Sequence, residues 1–105
     1  MSDSPDIVVI GRFDVAPDTL DALREALVAM QDASRAEDGC HDYTFSVEVA
    51  DPAVVRLSER WESIDALRAH FTQPHMATFG EALAANPPLS SSVQFFEATE
   101  IDRPS

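Results

Sequence analysis

Residues 43–61 read YTFSVEVADPAVVRLSERW, and more of the fold follows from this segment than from any other. Apolar and polar side chains alternate over residues 43–49, which is the pattern of a half-buried β-strand. Asp51-Pro52 is a turn signal, and residues 54–61 return as a second strand. The segment therefore predicts an antiparallel β-hairpin in the middle of the chain.

The segments around the hairpin predict further strands and a long helix. Residues 7–15 are rich in β-branched side chains and predict the first strand, and residues 93–101 predict the last one. Pro17 fits the first position of a helix that closes at Asp38-Gly39. The apolar stripe of this helix consists of Leu20, Leu23, Leu27 and Met30.

A proline divides the second helical region in two. Ser63 is typical of the N-cap of a short helix, Pro74 begins another, and Asn86-Pro87-Pro88 ends it. The complete order is β-α-β-β-α-β. Because crossovers are right-handed, this order predicts an α+β, ferredoxin-like fold: a four-stranded antiparallel sheet with helices on one face.

The length of 105 residues predicts a single domain over residues 1–105, with frayed ends around an ordered core at about 7–101. The alternation of side chains along the strands predicts which residues lie on the sheet face that no helix covers. These are the apolar residues Val8, Ile10, Val54 and Phe96, mixed with the charged residues Arg12, Arg56, Arg60 and Glu48. An apolar sheet face with a charged rim needs a cover. We therefore expect a homodimer in which two copies pack sheet against sheet.

Composition excludes several partners and chemistries. The formal net charge is −12, so we expect neither nucleic acid nor an anionic membrane as a partner. All seven basic residues are arginines, which removes Schiff-base chemistry on a lysine. The acidic first residues differ from a signal peptide, no apolar run could span a bilayer, and Cys40 has no disulfide partner in the chain. These features predict a cytoplasmic protein.

Two sequence segments carry a family resemblance. Residues 59–70, ERWESIDALRAH, are followed by Gln73-Pro74-His75-Met76 and Phe79, while Gly39-Cys40-His41-Asp42-Tyr43 leads into the second strand. Together they resemble the antibiotic biosynthesis monooxygenase family, and in particular its quinol-monooxygenase members. The resemblance extends from about residue 7 to about residue 101.

The resemblance implies a dimeric α+β barrel with one pocket per subunit between sheet and helices. It also implies oxidation of a quinol or polyketide phenol by oxygen with no cofactor, metal or flavin. A haem-degrading branch of this fold uses an Asn, a Trp and a His, and those positions correspond to Gly11, His70 and Gly80 here. Since none of the three matches, we do not expect haem degradation.

Glu59 and His70 are the candidate catalytic residues. Alternation puts Glu59 between Leu57 and Trp61 on the helix-facing side of the sheet, where a carboxylate must be paired, hydrogen-bonded or protonated. It is either a pocket acid or base with a raised pKa or a structural carboxylate. His70 could face the pocket as a base and pair with Glu59, or else be a surface or capping histidine.

The candidate substrate-binding residues are of three kinds. Gly11, in the middle of a strand, leaves either a hole that could be a pocket floor or a bulge. His75, in the first turn of a helix, is favoured as a neutral proton acceptor by the helix dipole. The aromatic candidates, which could be core and substrate contact at once, are Tyr43, Trp61, Phe71 and Phe79.

The sequence predicts no metal site and no nucleophilic cysteine. Pro74 separates His70 from His75, and the chain has no paired His or Cys motif of the kind that zinc prefers. No residue at a suitable spacing is a partner base for Cys40.

Without a metal or a nucleophile, the protein would supply deprotonation, orientation and a dry pocket to a substrate that is itself the reductant.

The leading hypothesis is that a base removes a phenolic proton and the ring then reduces oxygen to a peroxide, which collapses to a quinone and water. Two alternatives stay open: a non-catalytic dimeric barrel that binds a hydrophobic metabolite, and an isomerase or cyclase that uses the same base. An open cavity lined by Glu59, His70 and Trp61 would favour the enzyme. A site sealed by its own side chains would favour the non-catalytic barrel.

Overall fold

The chain forms four strands and three helices within residues 4–105, the part that the computed structural model describes. In order they are β1 (Asp6–Asp14), α1 (Thr19–Arg35), β2 (Cys40–Glu48), β3 (Asp51–Trp61), α2 (Ile64–Phe71), α3 (Pro74–Ala85) and β4 (Ser90–Ala98). This confirms the predicted β-α-β-β-α-β order. Residues 1–3 of the predicted frayed N-terminus lie outside the described part.

All four strands pair antiparallel in one sheet of order β2-β3-β1-β4. This topology confirms the ferredoxin-like α+β prediction. Strands β1 and β3 are central, and their register, with that of β2, sets Val9 and Tyr43 on either side of Glu59. The Glu59 side chain therefore rises from the middle of the sheet.

The core lies between one face of the sheet and the helices. In α1, Leu23, Leu27 and Met30 are buried and Leu20 is half-buried, as their helical spacing predicted. The main core cluster consists of Ile7, Val9, Met30, Tyr43, Leu57, Trp61 and Leu67. Full burial of such a side chain stabilises the fold by about 1.5–3 kcal/mol.

Polar contacts fix the end of α1 over β2. The Gln31 side-chain oxygen accepts a hydrogen bond from the Phe45 N–H at 2.8 Å, and Arg35 Nε donates to the Tyr43 carbonyl at 2.7 Å. In the loop that follows, Gly39 has φ 81°, and its carbonyl accepts from the Glu62 N–H at 2.8 Å. The α1–β2 loop is thereby held against the start of α2.

Two predicted boundaries around α1 and the hairpin are wrong. Helix α1 begins at Thr19 rather than Pro17, because the Thr19 N–H bonds the Ala16 carbonyl in a preceding turn. Asp51-Pro52 belongs to β3, and the hairpin turns at Val49-Ala50 instead. The β2–β3 register shifts between Val47 and Glu48, which ends the alternation earlier than the sequence pattern suggests.

Strand β4 occupies residues 90–98 rather than the predicted 93–101. Its three leading serines, although weak strand formers, pair with Asp14, Phe13 and Arg12 of β1. The Ser90 hydroxyl also donates to the Asp14 carboxylate at 3.0 Å. Pairing with a preformed central strand thus outweighs local propensity.

The caps of the two short helices agree with the sequence. The Ser63 hydroxyl accepts from the Ala66 N–H at 3.1 Å, so Ser63 is the N-cap of α2. Pro74 begins α3, and Asn86 is its C-cap. Because Pro74 breaks the helical path, His70 at the end of α2 and His75 at the start of α3 come to lie near each other, with ring centroids 6.0 Å apart.

The sheet face without helices is only partly apolar. Ile10 and Phe96 are exposed and Val8 is half-buried, as predicted. Val54 is buried, contrary to prediction, and lies beside a backbone hydrogen bond from the Val15 N–H to the Ala53 carbonyl at 2.8 Å. Among the described helices, none has the length and apolarity to cross a membrane.

Candidate functional site

Glu59 is a buried residue whose carboxyl group accepts a hydrogen bond from Trp61. Its side chain is only 5% exposed, and its Oε1 accepts from Trp61 Nε1 at 2.8 Å. The pKa of Glu59 is raised to about 7, mainly by burial and to a smaller extent by the charge of Glu37, while the hydrogen bond from Trp61 opposes the shift. Burial, the raised pKa and the hydrogen bond from Trp61 are compatible with both sequence-based alternatives, an acid or base and a structural carboxylate.

Glu37 joins two histidines through one carboxylate oxygen. Its Oε2 lies 2.6 Å from His70 Nδ1 and 2.7 Å from His75 Nε2. The side chains of Glu37 and His70 are almost completely buried, whereas that of His75 is 21% exposed. We call Glu37, His70 and His75 the Glu–His₂ cluster.

The carboxylate determines which histidine nitrogens carry protons. An ionised carboxylate only accepts hydrogen bonds, so His70 must donate from Nδ1 and His75 from Nε2. In its neutral form His70 then has Nε2 as its free acceptor. This is the arrangement that a histidine general base requires.

Aromatic rings enclose the His70 imidazole. Its centroid lies 4.7 Å from that of Trp61, 5.6 Å from that of Tyr43 and 5.8 Å from that of Phe71. Burial, with a smaller contribution from the Glu59 charge, raises the pKa of the Tyr43 phenol, which keeps this hydroxyl neutral. From the predicted set, the structure thus brings together Tyr43, Glu59, Trp61, His70, Phe71 and His75.

The predicted pairing of His70 with Glu59 is wrong. His70 is hydrogen-bonded to Glu37, and Glu59 is hydrogen-bonded to Trp61. Sequence reasoning missed Glu37, which lies 33 and 38 positions from its two partners and has no motif around it. The adjoining Asp38-Gly39 turn marks a tight loop but gives no sign that it faces two histidines.

Gly11 neither forms a bulge nor leaves a hole. Its pairing with both neighbouring strands is regular. A Cβ placed on Gly11 would lie 3.1 Å from the Leu57 Cβ and 3.5 Å from the Phe13 ring. Neighbouring side chains therefore already fill the space expected for a pocket floor.

Cys40 is not poised as a nucleophile. Burial, followed by the charges of Glu37 and Glu59, raises the pKa of its thiol to about 11. The thiolate is therefore scarce at neutral pH, in agreement with the sequence-based expectation.

An apolar groove lies at the open edge of the sheet, between α2 and β4. Its volume is about 420 Å³, and it is lined by Ile7, Ile64, Leu67, Arg68, Phe71, Phe95, Phe96 and Glu97. Phe71 packs edge to face on Phe95, with ring centroids 6.4 Å apart, and also contacts His70. Phe79 lies elsewhere, against Phe45 beneath α3.

The candidate base is sealed from the groove in this structure. His70 is 2% exposed and Trp61 is fully buried, and neither lines the groove. Because an enzyme was expected to have an open cavity lined by these residues, their burial favours a non-catalytic binding protein. The half-exposed Phe71 ring stands at the contact between the groove and His70.

Known proteins share both sequence and fold with this chain. "Putative monooxygenase Rv0793" of Mycobacterium tuberculosis is 42% identical over 73 residues, which are 70% of this chain and 71% of the relative. "Probable quinol monooxygenase YgiN" of Escherichia coli K12 is 38% identical over 55 residues, 45% of this chain and 53% of the relative's length.

Two solved structures resemble the fold closely. The structure of Rv0793 has a TM-score of 0.79 at 31% identity and covers 95% of this chain and 99% of that one. A structure from Deinococcus radiodurans has a TM-score of 0.85 at 24% identity, covers 94% and 98%, and supports the fold alone. The family model of antibiotic biosynthesis monooxygenases matches residues 6–82. With this match, the Rv0793 likeness and the shared fold, the chain belongs to the antibiotic biosynthesis monooxygenase family.

Proposed function

We propose that this protein is a cofactor-independent monooxygenase that oxidises a quinol or phenol with oxygen, using His70 as the base. The observation that carries the proposal is the 2.6 Å hydrogen bond between His70 Nδ1 and Glu37, which leaves Nε2 as the proton acceptor. Membership in a monooxygenase family and the name of the relative YgiN support the choice of reaction.

The apolar groove is the proposed substrate site. An aromatic ring placed there would stack against Phe71 and Phe95, whose edge-to-face geometry suits a planar ligand. Because Phe71 contacts both Phe95 and His70, a shift of its ring upon binding would expose the imidazole to the phenol. Arg68 and Glu97, which also line the groove, could hydrogen-bond the ring oxygens.

The proposed reaction balances as phenol plus oxygen giving quinone plus water, and for a quinol as quinol plus oxygen giving hydroxyquinone plus water. His70 Nε2 takes the phenolic proton, and the phenolate passes two electrons, one at a time, to oxygen while a ring carbon forms a C–O bond. The resulting peroxide takes a proton back from His70. Loss of the remaining C–H proton and cleavage of the O–O bond then give the second carbonyl and release water.

Glu59 would assist by adjusting charge near the base. With a pKa of about 7 it exchanges its proton near neutral pH, and its hydrogen bond to Trp61 connects it to the ring that contacts His70. The enclosing aromatic rings would keep the reacting groups away from bulk water.

We further propose that the protein is a homodimer through the sheet face without helices. Val8 pairs directly with Phe96 across β1 and β4, and Ile10 follows on the same face, so an apolar strip crosses the centre of that surface. Pairs such as Arg12–Asp14, Arg56–Glu48 and Arg60–Asp6 flank the strip with satisfied charges.

A non-catalytic, metabolite-binding barrel is the second candidate, because the burial of His70 favours it. Oxygen uptake by the purified protein with a panel of hydroquinones and anthrones, in the presence of a metal chelator, distinguishes the two. Oxygen uptake that saturates with substrate, with one substrate molecule oxidised for each O₂ consumed, supports the monooxygenase. Uptake no faster than the blank, together with saturable ligand binding, would establish the binding protein instead.

A further inference from the structure

Three side chains of the types that ligate metal ions come together from three different segments. Glu37 comes from the α1–β2 loop, His70 from α2 and His75 from α3, and their donor atoms all lie within 4.8 Å of one another. We propose that the Glu–His₂ cluster binds one divalent first-row transition-metal ion of the Zn²⁺ class.

The donor set suits such an ion. Two imidazole nitrogens and one carboxylate oxygen are ligands that zinc and its neighbours accept, and three protein ligands leave a coordination position for water. This site was not predicted from the sequence, because no motif marks Glu37 as a partner of His70 and His75. The third histidine, His41, is exposed and is not part of the site.

The cluster needs a small rearrangement to hold an ion. A metal about 2.0–2.2 Å from each donor keeps the donors roughly 3–3.5 Å apart, whereas Glu37 Oε2 is now 2.6 and 2.7 Å from the two nitrogens. Glu37 would withdraw by somewhat under 1 Å, and the proton on each of the two nitrogens would move to the other nitrogen of its imidazole, so that both neutral rings coordinate the ion. Its position in a loop, between α1 and β2, allows this movement.

Solvent can reach the cluster from one side. A cavity of about 420 Å³ is lined by Ala33, Ala36, Glu37, Asp38, Ala69, Gln73 and His75. This cavity is distinct from the apolar groove, and two of its lining residues are ligands and one a further carboxylate. It would admit the ion and hold its water, while the net charge of −12 attracts cations to the surface.

Metal binding would also switch off the base. A metal on Nδ1 of His70 moves the proton of this imidazole to Nε2, so the ring can no longer accept a phenolic proton. This consequence rests on the proposed function, although the site itself does not. The ion would act as an inhibitor, and the metal-free protein would be the active form.

The test is a titration of the chelator-treated full chain with Co²⁺, followed by its visible d–d absorbance, and then displacement by Zn²⁺. We expect one Co²⁺ per chain. His75→Ala, which removes the most exposed ligand, should weaken Co²⁺ binding by about 100-fold or more while circular dichroism stays unchanged. His41→Ala is the matched control and should bind Co²⁺ as the original chain does.

Absence of saturable Co²⁺ binding would overturn the proposal, as would equal affinity in the original chain and His75→Ala. Equal losses in His75→Ala and His41→Ala would also overturn it, because they indicate scattered surface binding. The absorbance reports binding whether or not turnover occurs. Stoichiometric Co²⁺ binding by a chain that shows no oxygen uptake even in its chelator-treated, metal-free form would therefore leave the metal site standing and contradict only the monooxygenase.

Discussion

Glu37 Oε2 lies 2.6 Å from Nδ1 of His70, across 33 positions of the chain. This contact joins the loop after α1 to the end of α2 and gives His70 a defined tautomer. The same oxygen holds His75, so one carboxylate orients both imidazoles. The proposed role of His70 as a base therefore depends on Glu37, a residue that no sequence motif identifies.

Replacement of Glu37 by Gln should remove the tautomer control without removing much volume. The amide can donate as well as accept, so His70 can adopt the form that carries its proton on Nε2. We expect kcat for quinol oxidation to fall by about 100-fold or more with KM nearly unchanged. Asp38→Asn, at the adjacent exposed position, should leave kcat unchanged, and an equal effect of the two variants would argue against orientation by Glu37.

Glu59→Gln should change how stability depends on pH. The pKa of Glu59 rises from an ordinary 4.5 to about 7 in the fold, so the folded state binds more protons than the unfolded state between these values. The free energy of unfolding should therefore fall as pH rises from about 4.5 to 7, by up to roughly 3 kcal/mol. Gln keeps the acceptor for Trp61 but does not ionise, so it should remove this fall.

Urea unfolding at a series of pH values measures the effect. Glu97→Gln, an exposed carboxyl group on β4, is the matched control and should retain the pH dependence of the original chain. A Glu59→Gln curve parallel to the original one would show that Glu59 stays ionised in the fold.

Gly39→Ala should destabilise the loop that presents Glu37. Gly39 has φ 81°, and an added Cβ would lie 2.7 Å from the Cβ of Ala66. We expect a loss of about 1–3 kcal/mol in the free energy of unfolding. Gly80→Ala has open space around its Cβ and lies within α3, so it should be neutral or stabilise by up to about 1 kcal/mol. Chemical denaturation of both variants measures the difference, and equal effects would contradict the strain at Gly39.

Ile10→Arg should dissociate the proposed dimer. Ile10 lies in the apolar strip and is 41% exposed in the single chain, so a charge there would be buried between two copies. Sedimentation velocity should show the original chain as a dimer and Ile10→Arg as a monomer. Val49→Arg, at the exposed hairpin turn, should remain dimeric. A monomeric original chain would contradict the dimer directly.

The sequence was sufficient for the fold because local signals agreed with one another. The stripe of α1, the Ser63 cap and the Pro74 break each act over a few residues, so each could be recognised from its neighbours. The three serines of β4 could not, because their strand conformation comes from pairing with β1.

The candidate site was only partly predictable. The alternation of side chains along β3 was enough to predict that Glu59 and Trp61 lie on the same, helix-facing side of the sheet, where both are buried. The partner of His70 depends on how the α1–β2 loop packs against α2, a long-range contact for which the chain has no local pattern. Gly11 was misread for a related reason, since the filling of its space depends on Leu57 and Phe13.

The most direct measurement of the proposed mechanism is the rate of oxygen uptake by His70→Ala beside His41→Ala, each with a hydroquinone that the original chain oxidises and with chelator present. His41 is exposed and outside the Glu–His₂ cluster. If His70 is the base, His70→Ala loses about 100-fold or more in rate while His41→Ala keeps the original rate. Equal rates in the original chain and in His70→Ala would contradict the assignment of His70 as the base.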